Sequence, residues 1–143
     1  MSVSILIISH GNIGSSFIDA AKQMIGQNTL KIKALDANIA LDANIESTLE
    51  ELYTKASSFV EEIDQGDGVL VLTDLFGSTP SNIAHRLYEK NNISVVTGIN
   101  LSMLIRILNS SRLNLEEITK NAYSGGIDGI KINGTNNGEI GEA

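Results

Sequence analysis

The sequence contains no cysteine, a single proline and only two histidines among 143 residues. Without cysteine there are neither disulfides nor thiolate metal sites, and two histidines would need several carboxylates to complete a zinc site. The expectation is no metal. A basic cluster is also missing: the net charge is −7, so the phosphate backbone of nucleic acid is repelled rather than drawn in. No apolar run approaches the roughly 20 residues that cross a bilayer. The start, Met1 to Ser9, has neither the positive charge nor the small-residue cleavage site of a signal peptide. These absences point to a cytoplasmic protein that is at most peripheral to a membrane.

What is present fits one globular core. Hydrophobic residues make up 42% and charged residues 19%, and a chain of this length buries roughly two-thirds of its unfolded surface. Residues 1–132 are expected to form one domain. From Asn133 onward the chain is rich in glycine, asparagine and glutamate and reads as a frayed tail.

The patterning alternates strands with helices. Val3 to Ile8 is almost continuously apolar and β-branched, as in a strand buried on both faces. After the turn His10-Gly11-Asn12-Ile13-Gly14, the residues Phe17, Ala20, Ala21, Met24 and Ile25 recur at helical spacing, with Ser15 or Ser16 as cap and Gly26 as stop. Leu30 to Leu35 reads as a less buried strand at or near an edge, and Ile45 to Ile63 as an amphipathic helix. The echo between Asp36-Ala37-Asn38-Ile39 and Asp42-Ala43-Asn44-Ile45 is too short for a structural repeat. Gly68 to Thr73 is a third strand, followed by Asp74-Leu75-Phe76-Gly77-Ser78-Thr79-Pro80. Here the one proline falls where a helix begins, with Thr79 as its expected cap. Ile93 to Thr97 supplies a fourth strand, Met103 to Leu108 a short helix, and Leu115 to Tyr123 another that Asn114 can cap. After Gly125-Gly126, Ile127 to Ile132 reads as a short last strand.

This alternation predicts an α/β fold with a doubly wound, mostly parallel sheet in the order 2-1-3-4. In such sheets chemistry gathers beyond the carboxyl ends of the two strands flanking the reversal of order, here the first and third. Those ends are His10 and Asp74. A carboxylate that holds one ring nitrogen leaves the other free as a nucleophile. The plainer reading is that His10 closes a turn and Asp74 caps local backbone groups. Gly77, Ser78 and Thr79 offer backbone N–H groups and hydroxyls for a phosphate, although a Ser-Thr-Pro helix start is also ordinary capping. His85 and Arg86 read first as a solvated helix face, and second as a partner contact. No nucleotide-binding glycine loop is present.

Taken together, Ile7-Ile8-Ser9-His10-Gly11, the run Asp74 to Asn82 and the run Thr97 to Leu104 resemble the IIA domain of the mannose-type sugar phosphotransferase system over nearly the whole chain. The resemblance implies that His10 is phosphorylated by the carrier HPr and that Asp74 orients it. It further implies that Thr79 sits by the phosphate, that no cofactor is needed, and that the phosphoryl group passes to a separate IIB protein. It also implies a homodimer, built through exchange of the C-terminal strand Ile127 to Ile132. Ser78 stands where the family has a second glycine, Ser81 where it has an aromatic residue, and Ser102 where it has a proline. The first bears on how closely backbone wraps phosphate, and the other two on partner surfaces. Two alternatives remain: the phosphotransfer subunit that serves dihydroxyacetone kinase, and a regulatory or flavodoxin-like binding module. The run Phe76 to Asn82 favours the mannose-type reading over the first, and Ser9-His10 in place of an acidic pair disfavours a receiver domain.

Overall fold

The computed structural model describes residues 2–26, 30–38, 45–89, 92–110 and 112–134. Residues 39–44 of the Asp36–Ile45 echo and the tail beyond Gly134 lie outside the described residues. Among the described residues, four strands and five helices follow one another as β1 (Ser4–His10), α1 (Ile13–Ile25), β2 (Ile32–Ala37), α2 (Ile45–Ile63), β3 (Val69–Thr73), α3 (Thr79–Tyr88), β4 (Ile93–Thr97), α4 (Leu101–Leu108) and α5 (Leu115–Asp128). The strands form one parallel sheet in the order β2-β1-β3-β4, as the alternation predicts.

The two faces of the sheet explain the composition of its strands. Ile5, Ile7, Leu70 and Leu72 pack with Leu104, Ile107 and Ile118 on one side. On the other side, Leu6, Ile8, Val69 and Val71 pack with Tyr53, Val60, Ile83 and Leu87. Residues 5–8 of β1 are fully buried, and each such aliphatic side chain contributes roughly 1.5–3 kcal/mol relative to exposure. His10, the last residue of that strand, is exposed. A core that excludes water thus ends one residue before the imidazole.

Several boundaries differ from the sequence reading, each for a physical reason. β2 begins at Ile32 and ends at Ala37, because its register against β1 pairs Ile5 with Ile32 and His10 with Ala37. α1 starts at Ile13, ahead of the expected serine caps, and Asn12 at its N-cap makes no side-chain capping bond. The first turn is satisfied from elsewhere: Gly14 N–H donates to Ser9 Oγ at 2.8 Å, while Ser15 Oγ donates to Asp36 Oδ2 at 2.8 Å. Ser78 rather than Thr79 is the N-cap of α3, which puts Pro80 second in the helix. Gly26 does stop α1, with φ of 80°, and Asn114 does cap α5 in a reciprocal capping box with Glu117.

The C-terminal strand expected over Ile127 to Ile132 is not formed in the chain. α5 runs on through Gly125 and Gly126 to Asp128, and residues 130–133 are neither helix nor strand. The glycine pair does not break the helix, because it is where α5 presses on α4. A Cβ on Gly125 would lie 2.7 Å from Arg106 Cβ, and one on Gly126 would lie 2.9 Å from Met103 Cε. Close approach at Gly125, where the obstacle is a Cβ, fixes glycine in spite of its poor helix propensity.

Candidate functional site

Parallel strands β1 and β3 are neighbours in register, with Ile8 opposite Thr73. The residues that follow their ends must therefore emerge side by side, and His10 and Asp74 do. Asp74 Oδ2 accepts from His10 Nδ1 at 2.7 Å and from the His10 backbone N–H at 2.9 Å. The second carboxylate oxygen, Oδ1, accepts from Leu75 N–H at 2.9 Å. Three donors thus fix the carboxylate plane before any ligand arrives.

The electrostatics follow from those contacts. Burial pushes the Asp74 carboxyl up, but the His10 backbone N–H, the His10 ring and the Leu75 N–H outweigh it, leaving the group below the ordinary aspartate value. Asp74 is thus an anion near neutral pH. A carboxylate can only accept, so His10 Nδ1 carries the proton and Nε2 is the nitrogen left for chemistry. The His10 side chain is 48% exposed against 13% for Asp74. The imidazole faces outward and the carboxylate beside it is sheltered.

The loop beyond Asp74 is shaped by its own hydrogen bonds. Ser78 N–H and Ser78 Oγ–H both donate to Leu75 O, at 3.2 and 2.6 Å. Its hydroxyl proton is thereby engaged in closing the turn, with Gly77 supplying the positive φ of 85° that the turn requires. Ser78 and Thr79 are half-buried at the start of α3, and Gly77 is exposed. Ser81, whose departure from the family pattern bears on a partner surface in the sequence reading, is instead buried inside the first turns of α3. Ser102 is exposed on α4. His85 is exposed, as expected of a solvated face.

Two features of the site were not anticipated from sequence. Ser9, fully buried, ties the loop after His10 to the start of α1 through Gly14. Leu75 and Phe76, next to Asp74, are 64% and 74% exposed. A serine in the last positions of an otherwise apolar strand, and two large apolar residues in a polar loop, were the signals. A groove of about 620 Å³ lies elsewhere, lined by Met24, Leu101, Ile105 and Arg106 among others, and includes neither His10 nor Asp74. Among the described residues there is no cluster of three or more His, Asp or Glu suited to a metal ion.

The family described as the PTS system fructose IIA component matches residues 4–123. The mannose-specific EIIAB component of Escherichia coli (strain K12) is 26% identical over 135 residues, covering 92% of this chain and 39% of that protein. This chain therefore spans well under half the length of that relative. The fructose-specific EIIA component of Bacillus subtilis (strain 168) is 26% identical over 121 residues, covering 83% of this chain and 78% of that one. Among solved structures, the mannose/sorbose specific IIA subunit from Enterococcus faecalis superposes with a TM-score of 0.75 at 22% identity. That superposition covers 96% of this chain and 98% of the other, and it shows a shared fold.

Proposed function

The chain belongs to the mannose/fructose-type IIA family of the sugar phosphotransferase system, and from that premise we propose that it is a phosphoryl carrier working through His10. The observation that carries this reading is the 2.7 Å contact between His10 Nδ1 and Asp74 Oδ2. It supports attack by Nε2 on the phosphorus of a donor phosphohistidine. As the new N–P bond forms, the donor's N–P bond breaks and its electron pair returns to the donor imidazole. The His10 ring keeps its Nδ1 proton and takes on positive charge, which the adjacent Asp74 carboxylate stabilises. Transfer onward reverses these changes.

A loose phosphoryl transition state asks for alignment and charge stabilisation more than for covalent machinery. Backbone N–H groups around Gly77, Ser78 and Thr79 at the start of α3, together with the Thr79 hydroxyl, are our candidates for holding the phosphoryl oxygens. The Ser78 N–H and hydroxyl are the weakest donors of the set, since both already close the turn onto Leu75 O. The step as drawn uses no metal and no cofactor.

HPr is the proposed donor and a separate IIB protein the proposed acceptor, with residues 1–132 acting as one unit in the cytoplasm. None of the described helices is long and apolar enough to cross a membrane. We further propose a homodimer joined through the C-terminal segment, where Tyr123, Ile127 and Ile130 are 65%, 49% and 65% exposed. Sedimentation equilibrium tests it: a dimer that Ile130→Asp dissociates supports the assignment, and a monomer at all concentrations removes it.

The phosphocarrier reading is tested by incubating the protein, and His10→Ala beside it, with Enzyme I, HPr and labelled phosphoenolpyruvate. Acid-labile, base-stable label on the wild type alone is the expected result. An unlabelled wild type, with the upstream proteins shown active, would overturn the reading.

A further inference from the structure

Phe76 is 74% exposed, although a phenyl ring is among the side chains most favoured for burial. It is not left to wander. Its ring meets that of His85 edge to face, with centroids 6.0 Å apart and planes at 73°, the arrangement that ring quadrupoles prefer. His85 is itself anchored, since its Nδ1 lies 2.8 Å from the carbonyl oxygen of Ser81. A carbonyl only accepts, so Nδ1 carries a proton, and the contact holds in either charge state of the ring. Ser81 is 1% exposed within the first turns of α3. An exposed aromatic ring is thus braced, through one histidine, against the buried start of a helix.

Resting on the phosphocarrier reading above, we propose that Phe76 is the docking knob for the protein that donates the phosphoryl group to His10, and that His85 is the positioning residue that holds it. What covers this surface follows from the reaction. Transfer requires the donor atoms to come within about 3–3.5 Å of the acceptor nitrogen, and Nε2 lies on a side chain that is half exposed. Phe76 is two residues beyond Asp74, which puts its Cα at most about 7.6 Å from that of the orienting residue. A protein that covers His10 therefore also meets Phe76. The stretches on either side, residues 11–14 and 74–79, carry no lysine or arginine, and their one charged residue, Asp74, is already engaged by His10 and Leu75, so the contact offered here is apolar. Leu75, next to Phe76 in sequence, is likewise exposed. Arg86, the nearest cation in sequence, is engaged with Glu50 at 3.0 Å and stacked over Tyr53.

The test compares a protein donor with a small one. Initial rates of His10 labelling are measured with phosphorylated HPr and, separately, with phosphoramidate, for wild type, Phe76→Ala, His85→Ala and the double variant. With phosphorylated HPr, KM is expected to rise about tenfold for Phe76→Ala and about threefold for His85→Ala, with kcat within about twofold of wild type. The double variant should be no worse than Phe76→Ala, because a residue that acts only through another adds nothing once that other is gone. Labelling by phosphoramidate should be unchanged throughout. Unchanged KM values, additive effects in the double variant, or an equal loss with both donors would each overturn the proposal. A wild type that neither donor labels on His10 would instead remove the carrier reading on which it rests.

Discussion

Asp74 holds His10 at two points through one oxygen: Oδ2 accepts both the backbone N–H at 2.9 Å and ring Nδ1 at 2.7 Å. The backbone bond fixes where the strand ends, and the ring bond fixes which nitrogen is free. An asparagine cannot reproduce this, because one of its two terminal atoms is a donor, and Asp74 meets donors on both oxygens. Asp74→Asn is therefore expected to slow phosphorylation of His10 by roughly 10–100-fold, the loss of a charge-assisted hydrogen bond. Single-turnover labelling from phosphorylated HPr measures it, and a rate within about twofold of wild type would remove Asp74 from the mechanism.

The same contacts make a statement about acid stability. Although burial raises the Asp74 carboxyl, the His10 and Leu75 donors hold it below the ordinary aspartate value. A depressed folded-state value means that the unfolded chain binds the proton more readily. The Asp74 contribution is therefore present above about pH 4, where the unfolded aspartate is ionised, and is lost as pH falls through the lower folded value. Urea unfolding of wild type and Asp74→Asn across pH 6 to 2 should show a stability gap that is constant down to about pH 4 and narrows below it. A gap that widened on acidification would contradict the assignment.

Most of the site was legible because it depends on topology more than on local detail. Once β1 and β3 are recognised as buried parallel strands, their neighbouring ends bring His10 beside Asp74 whatever the loops do. Helix boundaries were less legible, because some of their partners come from other elements. The start of α1 is satisfied by Ser9 from a strand, and α4 begins two residues early because Asn100 accepts from Met103 N–H at 2.8 Å. An asparagine directly before an apolar run was the available signal for the second. The C-terminal strand was misread because Gly125-Gly126 carries the local signature of a helix stop. What overrides it is packing against α4, which a single sequence does not display.

Ser9 gives a test of how far the site depends on that hidden tie. Its hydroxyl oxygen is buried and accepts from Gly14 N–H, four residues past His10. Ser9→Ala leaves that N–H without its partner, at a cost of about 1–3 kcal/mol. Chemical denaturation is expected to show a loss in this range, largely restored in Ser9→Thr, which keeps the hydroxyl. Equal losses in both variants would trace the effect to packing rather than to the hydrogen bond.

The glycine pair in α5 allows two opposing effects to be weighed at adjacent positions. Replacing a helical glycine with alanine gains about 1 kcal/mol from propensity alone, and that gain applies equally to Gly125 and Gly126. Steric cost separates them. The new Cβ at Gly125 would meet Arg106 Cβ at 2.7 Å, an atom fixed to the α4 backbone, whereas at Gly126 the obstacle at 2.9 Å is the terminal methyl of Met103. A methionine end can swing aside and a Cβ cannot, so overpacking of roughly 1–3 kcal/mol falls mainly on Gly125. Gly125→Ala should lower the unfolding midpoint clearly, with Gly126→Ala near wild type. The reverse order would mean that the α4–α5 contact closes differently. In that case the extension of α5 past the glycine pair would lose its explanation.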